Sequence, residues 1–165
     1  MKRERGRAVR REEFAERVIA IQERLYKTAV LCLGSDAQAA EVLDEAVYRG
    51  LKGAGKLRQP EYFETWMTRI LLNECRRELK RQSRLRPLTE LEEGVVEPPD
   101  TLPLKEAVRQ LPAALREVVV LRYFADCTLA ETARILGIPQ GTVVTRQRKA
   151  LSLLRLELLE KEELP

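Results

Sequence analysis

The chain has 165 residues, of which 44% are hydrophobic and 34% are charged, and its 30 basic and 26 acidic residues give a net charge of +4. This length suits one domain or two small ones, and the hydrophobic fraction is sufficient for a core. The sequence contains no histidine, which excludes histidine-based catalysis and most zinc sites. We therefore expect neither a catalytic group nor a metal or cofactor site.

The cysteines and the apolar runs indicate the compartment. Cys32, Cys75 and Cys127 lie far apart without a Cys-x-x-Cys pair, which argues against a disulfide framework and for a reducing environment. The apolar runs are much shorter than the roughly 20 residues of a membrane span, and no signal-peptide pattern opens the chain. We expect a cytoplasmic protein.

Helical periodicity runs through most of the chain. It predicts helices at 12–33, 36–51, 61–81, 104–110, 112–124, 128–136 and 140–160. Gly50, Gly53 and Gly55 are expected to loosen the end of the second helix, and a loop at 56–60 precedes the third. No strand alternation stands out, so the sequence predicts an all-α fold.

One segment without periodicity divides the helices. Residues 86–103 combine four prolines with five acidic residues, which predicts a flexible acidic linker. We expect two small helical domains, at 12–85 and 104–165, preceded by a basic tail at 1–11.

Charge is distributed in blocks. Segment 2–11 has six basic residues against one acid, segment 69–86 has seven against two, and segment 142–155 has four and no acid. Three basic zones suggest several contacts with a polyanion, for which nucleic acid is the obvious candidate. The alternative is that each block is simply a solvated face.

The C-terminal region contains the pattern of a helix-turn-helix. Thr128 followed by Glu131 predicts a capping box, Gly137 a left-handed helix end, and Pro139 the first position of the next helix. In that next helix Val143, Ala150 and Leu154 share an inner face. The outer face presents side chains suited to base edges and phosphates. The residues predicted to contact duplex DNA are Thr142, Thr145, Arg146, Arg148 and Lys149. A plain helical hairpin with a basic surface is the alternative.

A second constellation lies in the N-terminal domain. Tyr62, Phe63 and Trp66 are three of the chain's eight aromatic residues. They precede a stripe of cations and one amide at helical spacing, which could receive a single strand or an extruded base by stacking and edge contacts. The stripe contains Arg69, Asn73, Arg76, Arg77 and Lys80. The alternative is that the three aromatic residues belong to the core.

The acidic helix at 36–51 also allows more than one function. Glu41, Asp44 and Glu45 could dock a basic partner or merely solvate a face. Together with Asp36 they could also hold a metal ion in a helical enzyme that acts on nucleic acid.

Together the two constellations resemble a bacterial RNA polymerase sigma factor of the extracytoplasmic-function type. Phe63-Glu-Thr-Trp-Met-Thr-Arg-Ile-Leu-Leu-Asn73 is similar to the family's F-x-T-W-L-x-R-I-x-x-N signature. Leu111-Pro-Ala-Ala-Leu-Arg-Glu-Val-Val-Val-Leu-Arg-Tyr123 and Gly141-Thr-Val-Val-Thr-Arg146 resemble L-P-x-x-x-R-E-V-x-x-L-R-Y and G-T-V-K-S-R. Residues 20–84 resemble sigma domain 2, and residues 104–158 resemble sigma domain 4.

The resemblance implies binding to core RNA polymerase, through its clamp helices and flap, and to promoter DNA. It implies that the helix after the turn reads the −35 element, and that the Asn73 stripe and the loop at 56–63, with Lys56 and Arg58, bind the melted −10 element. Glu41, Asp44, Glu45 and Arg49 match the helix that docks on the clamp. Asp44, Val144 and Arg148 depart from the family's usual residues, so the promoter sequence is not implied.

The resemblance further implies an anti-sigma partner, which is often anchored in the membrane, and no small-molecule substrate. A stand-alone helix-turn-helix regulator that binds duplex DNA, usually as a symmetric dimer, is the alternative function.

Overall fold

The computed structural model describes residues 9–85 and 102–162, with side chains for 9–85 and 103–155. Within these residues every element of secondary structure is a helix and there is no strand, which confirms the predicted all-α fold. Short 3₁₀ turns at Ala54–Lys56 and Pro60–Tyr62 precede the third helix, and a π-helical segment at Val120–Phe124 continues the fifth. The helices are α1 (Arg11–Leu33), α2 (Asp36–Gly53), α3 (Phe63–Leu85), α4 (Leu102–Gln110), α5 (Ala113–Val119), α6 (Leu129–Leu136) and α7 (Gln140–Glu162).

The predicted tail and linker fall largely outside the described residues. Helix α1 already includes Arg11, and the preceding Val9 is buried. Helix α4 begins at Leu102, so the last two residues of the predicted linker are helical.

Helices α1, α2 and α3 pack on one another and form the N-terminal domain. Gly34 adopts φ 74° at the end of α1, where the left-handed conformation favours glycine, and the Ser35 hydroxyl caps α2 by accepting a hydrogen bond from the backbone N–H of Gln38. The Tyr26 hydroxyl of α1 donates to Asp36 at the start of α2 at 2.6 Å, which links the two helices. The apolar residues of α1 at three- and four-residue spacing are buried: Phe14, Val18, Ile21, Leu25 and Ala29.

The glycines at the end of α2 allow close packing, so the prediction that they loosen this helix is wrong for two of them. A Cβ atom at Gly50 would lie 2.5 Å from Met67 Sδ, and one at Gly53 would lie 3.2 Å from the Trp66 ring. Helix α2 continues through both residues to its end at Gly53. Only Gly55, which has open space around it, lacks such a contact.

The C-terminal domain contains the predicted helix-turn-helix in α6 and α7. Thr128 and Glu131 form the capping box, and Gly137 ends α6 with φ 67°. Val118, Ala133 and Val143 form a small buried cluster that holds α5, α6 and α7 together. The inner face predicted for the last helix is buried as well. Local sequence signals therefore specify this motif.

The two domains share one hydrophobic core. Helix α3 contacts α6, and α1 contacts both α4 and the π-helical segment. The buried cluster runs from Phe14 and Met67 in the N-terminal domain to Leu121 and Ile135 in the C-terminal domain. This packing decides which predicted site residues are accessible.

Candidate nucleic-acid interface

Helix α7 presents its predicted DNA-contacting residues on an accessible face. Thr145, Arg148 and Lys149 are exposed, whereas Thr142 and Arg146 are half-buried at the margin. The Thr145 hydroxyl donates to the Gly141 carbonyl at 3.0 Å, so its oxygen remains free to accept from a ligand. None of the three cations has an ion pair within the described residues.

A polar network that the sequence analysis missed fixes the orientation of α7. The Arg122 guanidinium donates to Gln147 Oε1 at 3.1 Å and to the Cys127 carbonyl at 2.8 Å. The amide of Gln147 donates to the Tyr123 hydroxyl at 3.1 Å. Gln147 lies between Arg146 and Arg148, so the network sets the rotation of the residues predicted to reach DNA. Sequence periodicity could place Gln147 at the margin of the inner face but could not identify its partners.

The stripe on α3 divides into unpaired and paired residues. Arg69, Asn73 and Lys80 are exposed and have no side-chain partner among the described residues. Arg77 lies 3.5 Å from the buried carboxylate of Glu74. Arg76 is half-buried and forms a two-pronged ion pair with Glu117 of α5, which also raises the pKa of Arg76.

The three aromatic residues near the start of α3 differ in exposure. Phe63 is only 2% exposed and packs edge-on against Phe14, so it is a core residue and its predicted contact with a strand is not available in this structure. Trp66 is half-buried beside Phe63. Tyr62 is 39% exposed, which makes it the most accessible of the three, and the Arg134 guanidinium lies over its ring, 4.9 Å from the centroid. Lys56 and Arg58 in the preceding loop are also exposed.

The polar face of α2 is accessible along its length. Glu41, Asp44 and Glu45 are exposed. The Arg49 Nε atom lies 2.8 Å from Glu45 and 2.8 Å from Glu74 of α3, so Arg49 bridges the two helices. Glu74 was not predicted as a site residue, although its place among the buried residues of α3 is visible from the periodicity.

The acidic residues of α2 do not form a metal centre. No group of three or more histidine, cysteine, aspartate or glutamate residues is close enough to hold a metal ion in the described ranges. Asp36 lies at the start of α2 and accepts a hydrogen bond from Tyr26, whereas Glu45 lies more than two turns further along. This geometry does not support the predicted metal-dependent alternative.

Two of the three thiols have pKa values above their ordinary value. Burial raises the pKa of Cys127 to about 11. A hydrogen bond with Cys32, together with burial, raises the pKa of Cys75.

Among the helices that the structure describes, none is long and apolar enough to cross a bilayer.

Both domains match models of one family. Residues 18–85 match the model for sigma-70 region 2, and residues 107–156 match the model for sigma-70 region 4. The chain therefore belongs to the sigma-70 family of RNA polymerase factors.

The relatives define the type within that family. The chain is 28% identical over 142 residues to the sigma factor SigV of Bacillus subtilis, across 83% of this chain and 86% of that protein. It is 28% identical over 132 residues to the extracytoplasmic-function sigma factor SigM of Mycobacterium tuberculosis, across 76% of this chain and 67% of that protein. The chain is an extracytoplasmic-function sigma factor, which binds core RNA polymerase and directs it to promoters.

A solved structure has the same fold. The sigma factor RpoE of Bartonella quintana, solved in complex with the anti-sigma factor NepR, superposes with a TM-score of 0.76 at 17% identity and covers 89% of this chain and 97% of that chain. The family assignment favours a polymerase-dependent factor over a stand-alone helix-turn-helix regulator.

Proposed function

We propose a division of promoter and polymerase contacts among three helices. Helix α7 reads the −35 element, the exposed stripe of α3 with Tyr62 and the loop at 56–62 binds the melted −10 strand, and the polar face of α2 docks on the polymerase clamp. Promoter recognition then requires both duplex and single-stranded contacts from one chain.

The observation that carries this proposal is the set of exposed cations without acidic partners on α3 and α7. Arg69 and Lys80 of α3, and Arg148 and Lys149 of α7, are exposed and have no ion pair within the described residues. Other exposed cations do have such a partner: Lys27 of α1 pairs with Glu23, and Arg81 of α3 pairs with Glu78. A cation without an internal partner is available to a phosphate, and its contact releases a counterion.

The −35 contact is tested with a duplex that carries the promoter's −35 region. We expect Arg148→Ala to weaken binding by roughly tenfold, because one bidentate base contact contributes about 1–3 kcal/mol of discrimination. Arg155→Ala is the matched control, since Arg155 is an exposed arginine further along α7. Equal loss for the two variants would mean that α7 contributes only general electrostatic attraction.

The −10 contact is tested with a fluorescent single strand and with an open-complex assay. We expect Asn73→Ala to reduce strand binding and promoter opening while duplex binding stays unchanged, because the amide is proposed to read an unpaired base edge. Ser83→Ala is the control, since Ser83 is an exposed polar residue of the same helix. A duplex defect as large as the strand defect would count against this assignment.

The polymerase contact is tested by charge reversal. We expect Asp44→Arg with Glu45→Arg to lower affinity for core polymerase, because like charges would then face the basic partner surface. Glu12→Arg with Glu16→Arg on α1 reverses the same number of exposed acids and should leave affinity unchanged. Unchanged polymerase affinity in the α2 variant would remove α2 from the docking surface.

Three further properties belong to this proposal. The protein acts in the cytoplasm, where polymerase and promoters are found, and catalysis resides in the polymerase rather than in this chain. An anti-sigma partner, of the often membrane-anchored kind that the family resemblance implies, holds it inactive; the solved RpoE–NepR complex supports such a partner for this fold. Co-purification with core polymerase and with a membrane fraction before and after induction tests these points.

A further inference from the structure

Helix α1 contacts the proposed strand-binding loop through one arginine that the sequence analysis did not predict as a site residue. Arg17 Nη1 donates to the Pro60 carbonyl at 2.7 Å, across 43 residues of chain. In the part of the chain that the structure describes, Arg17 is the one side chain from another helix that hydrogen-bonds to the backbone of residues 56–62. The position of the loop is therefore tied to α1.

The Pro60 carbonyl lies at the point where the loop leads into α3. It accepts the backbone N–H of Phe63 across the 3₁₀ turn Pro60–Tyr62, and the Arg17 guanidinium donates to the same oxygen, which has two lone pairs. Tyr62, the most exposed aromatic residue of the proposed strand site, ends this turn. A shift of the turn would therefore move the Tyr62 ring relative to the strand path along α3.

Two further contacts hold the Arg17 guanidinium in place. Arg17 Nη2 lies 2.8 Å from Glu13 Oε1, one turn earlier on α1. The guanidinium also lies over the ring of Phe63, 5.6 Å from its centroid, and Phe63 is a buried core residue. Arg17 thus contacts a carboxylate, a ring face and the loop carbonyl at once. A side chain with three partners is preorganised, so it loses little further freedom when a strand binds.

A second arginine of α1 makes a parallel contact that does not involve the loop. Arg24 lies two turns after Arg17 and pairs with Glu64 of α3. Arg24 thus holds the first turn of α3, and Arg17 holds the loop that precedes it. The two side chains are almost equally exposed, Arg17 at 35% and Arg24 at 37%, so Arg24 provides a matched control.

Given the strand site proposed above, on which this inference rests, we propose that Arg17 is a positioning residue that holds the Pro60–Tyr62 turn ready for an unpaired base of the −10 strand. Loss of the contact releases the turn, so only a fraction of the molecules then present the loop correctly. The apparent dissociation constant for the strand rises by the inverse of that fraction. Capture of the melted strand thus depends on a residue of α1 that acts through the loop.

The test uses the full chain assembled with core polymerase and a fluorescent single strand that carries the −10 region of a promoter that this holoenzyme transcribes. Arg17→Met keeps an unbranched side chain over Phe63 but removes the donors, and we expect it to weaken strand binding about fivefold. Arg24→Met removes the same charge and a neighbouring contact between α1 and α3, and it should change strand affinity by less than about twofold. Binding of a −35 duplex should be unchanged in both variants.

Salt dependence distinguishes positioning from direct contact with DNA. A cation that binds a phosphate of a single strand contributes about 0.7 to the slope of log affinity against log salt concentration. Positioning predicts the wild-type slope for Arg17→Met, because the bound strand keeps the same phosphate contacts. A slope shallower by about 0.7 would assign Arg17 to the phosphate contacts and overturn the positioning role.

Glu13→Gln gives a test in which positioning and simple electrostatics predict opposite signs. Removal of an acidic charge favours DNA binding in general. Positioning instead predicts about twofold weaker strand binding, because Arg17 loses its ion pair. The matched control is Glu16→Gln, since Glu16 is an exposed glutamate of the same helix without a partner among the described residues. The control should leave strand binding unchanged or strengthen it, and the same result for Glu13→Gln would count against positioning.

Amide hydrogen exchange measures the turn directly. The N–H groups of Tyr62 and Phe63 bond to the carbonyls of Gln59 and Pro60. Their exchange should be faster in Arg17→Met than in Arg24→Met, because release of the turn exposes both N–H groups to water. Equal exchange in the two variants would overturn the proposed role.

The outcomes separate the role of Arg17 from the strand site itself. Weaker strand binding by Arg17→Met and Glu13→Gln at an unchanged salt slope supports positioning. Strand binding that Asn73→Ala weakens, but that is equal for Arg17→Met and Arg24→Met, would overturn positioning and leave the strand site intact. Absence of strand binding by the wild-type holoenzyme would overturn the strand site and the role of Arg17 with it.

Discussion

Substitution of Gly50 by alanine measures how tightly the helices of the N-terminal domain cross. The added Cβ would lie 2.5 Å from Met67 Sδ and 3.1 Å from Phe14 Cζ. Comfortable contacts between such atoms begin at about 3.5 Å. Met67 is fully buried, so its sulfur cannot swing into solvent, and α2 must move away from α1 and α3.

The expected net effect is a loss of stability. Alanine in a helix interior is favoured over glycine by about 0.5–1 kcal/mol. Overpacking of a close-packed core costs about 1–3 kcal/mol. We expect Gly50→Ala to lower the free energy of unfolding by about 1–2 kcal/mol.

Urea unfolding followed by the fluorescence of Trp66, the only tryptophan, provides the assay. Gly55→Ala is the control, because a Cβ atom there has nothing within 4 Å. It should be neutral or slightly stabilising. In a double-mutant cycle with Met67→Ala, the combined loss should be smaller than the sum of the single losses, since the new methyl group fills part of the cavity.

The opposite result would refute this reasoning. If Gly50→Ala were as stable as Gly55→Ala, the close crossing of α2 over Met67 would not be a feature of the folded protein. Additive losses in the cycle would mean that Gly50 and Met67 do not contact each other.

Three other predictions concern the C-terminal domain. Thr128→Ala removes the capping box of α6 and should lower stability by about 1 kcal/mol in urea unfolding, whereas Thr128→Ser should restore most of it. Arg122→Ala should weaken −35 duplex binding although Arg122 is not placed on the DNA-facing side, because the variant loses the hydrogen bond from Arg122 to Gln147 that orients α7. Normal affinity for the duplex would show that this polar network is dispensable. The pKa of Cys127 is raised to about 11 from an ordinary value of 9.0, so its neutral thiol stabilises the folded state. This contribution to the free energy of unfolding should be fully present below pH 9.0 and should fall as the pH rises towards 11. In denaturation measured across this pH range, Cys127→Ala should reduce the slope of that fall.

The sequence by itself determined the helices and the helix-turn-helix. Every signal in that motif acts over a few residues: Thr128 caps through Glu131, Gly137 ends the same helix, and the inner face of α7 repeats at helical spacing. Such signals depend on local backbone geometry, so they can be read before any tertiary contact is known. The family resemblance also follows from short motifs in a fixed order, and the family models confirm it.

Only the tertiary structure decided which of the predicted site residues are accessible. Arg76 is paired because Glu117, 41 residues away, is brought beside it by packing of the two domains. Phe63 is buried because α1 places Phe14 against it, and Gly50 is required where α3 crosses α2. An exposed cation and a paired one have the same sequence signature, since their difference depends on a partner that folding brings in from another helix.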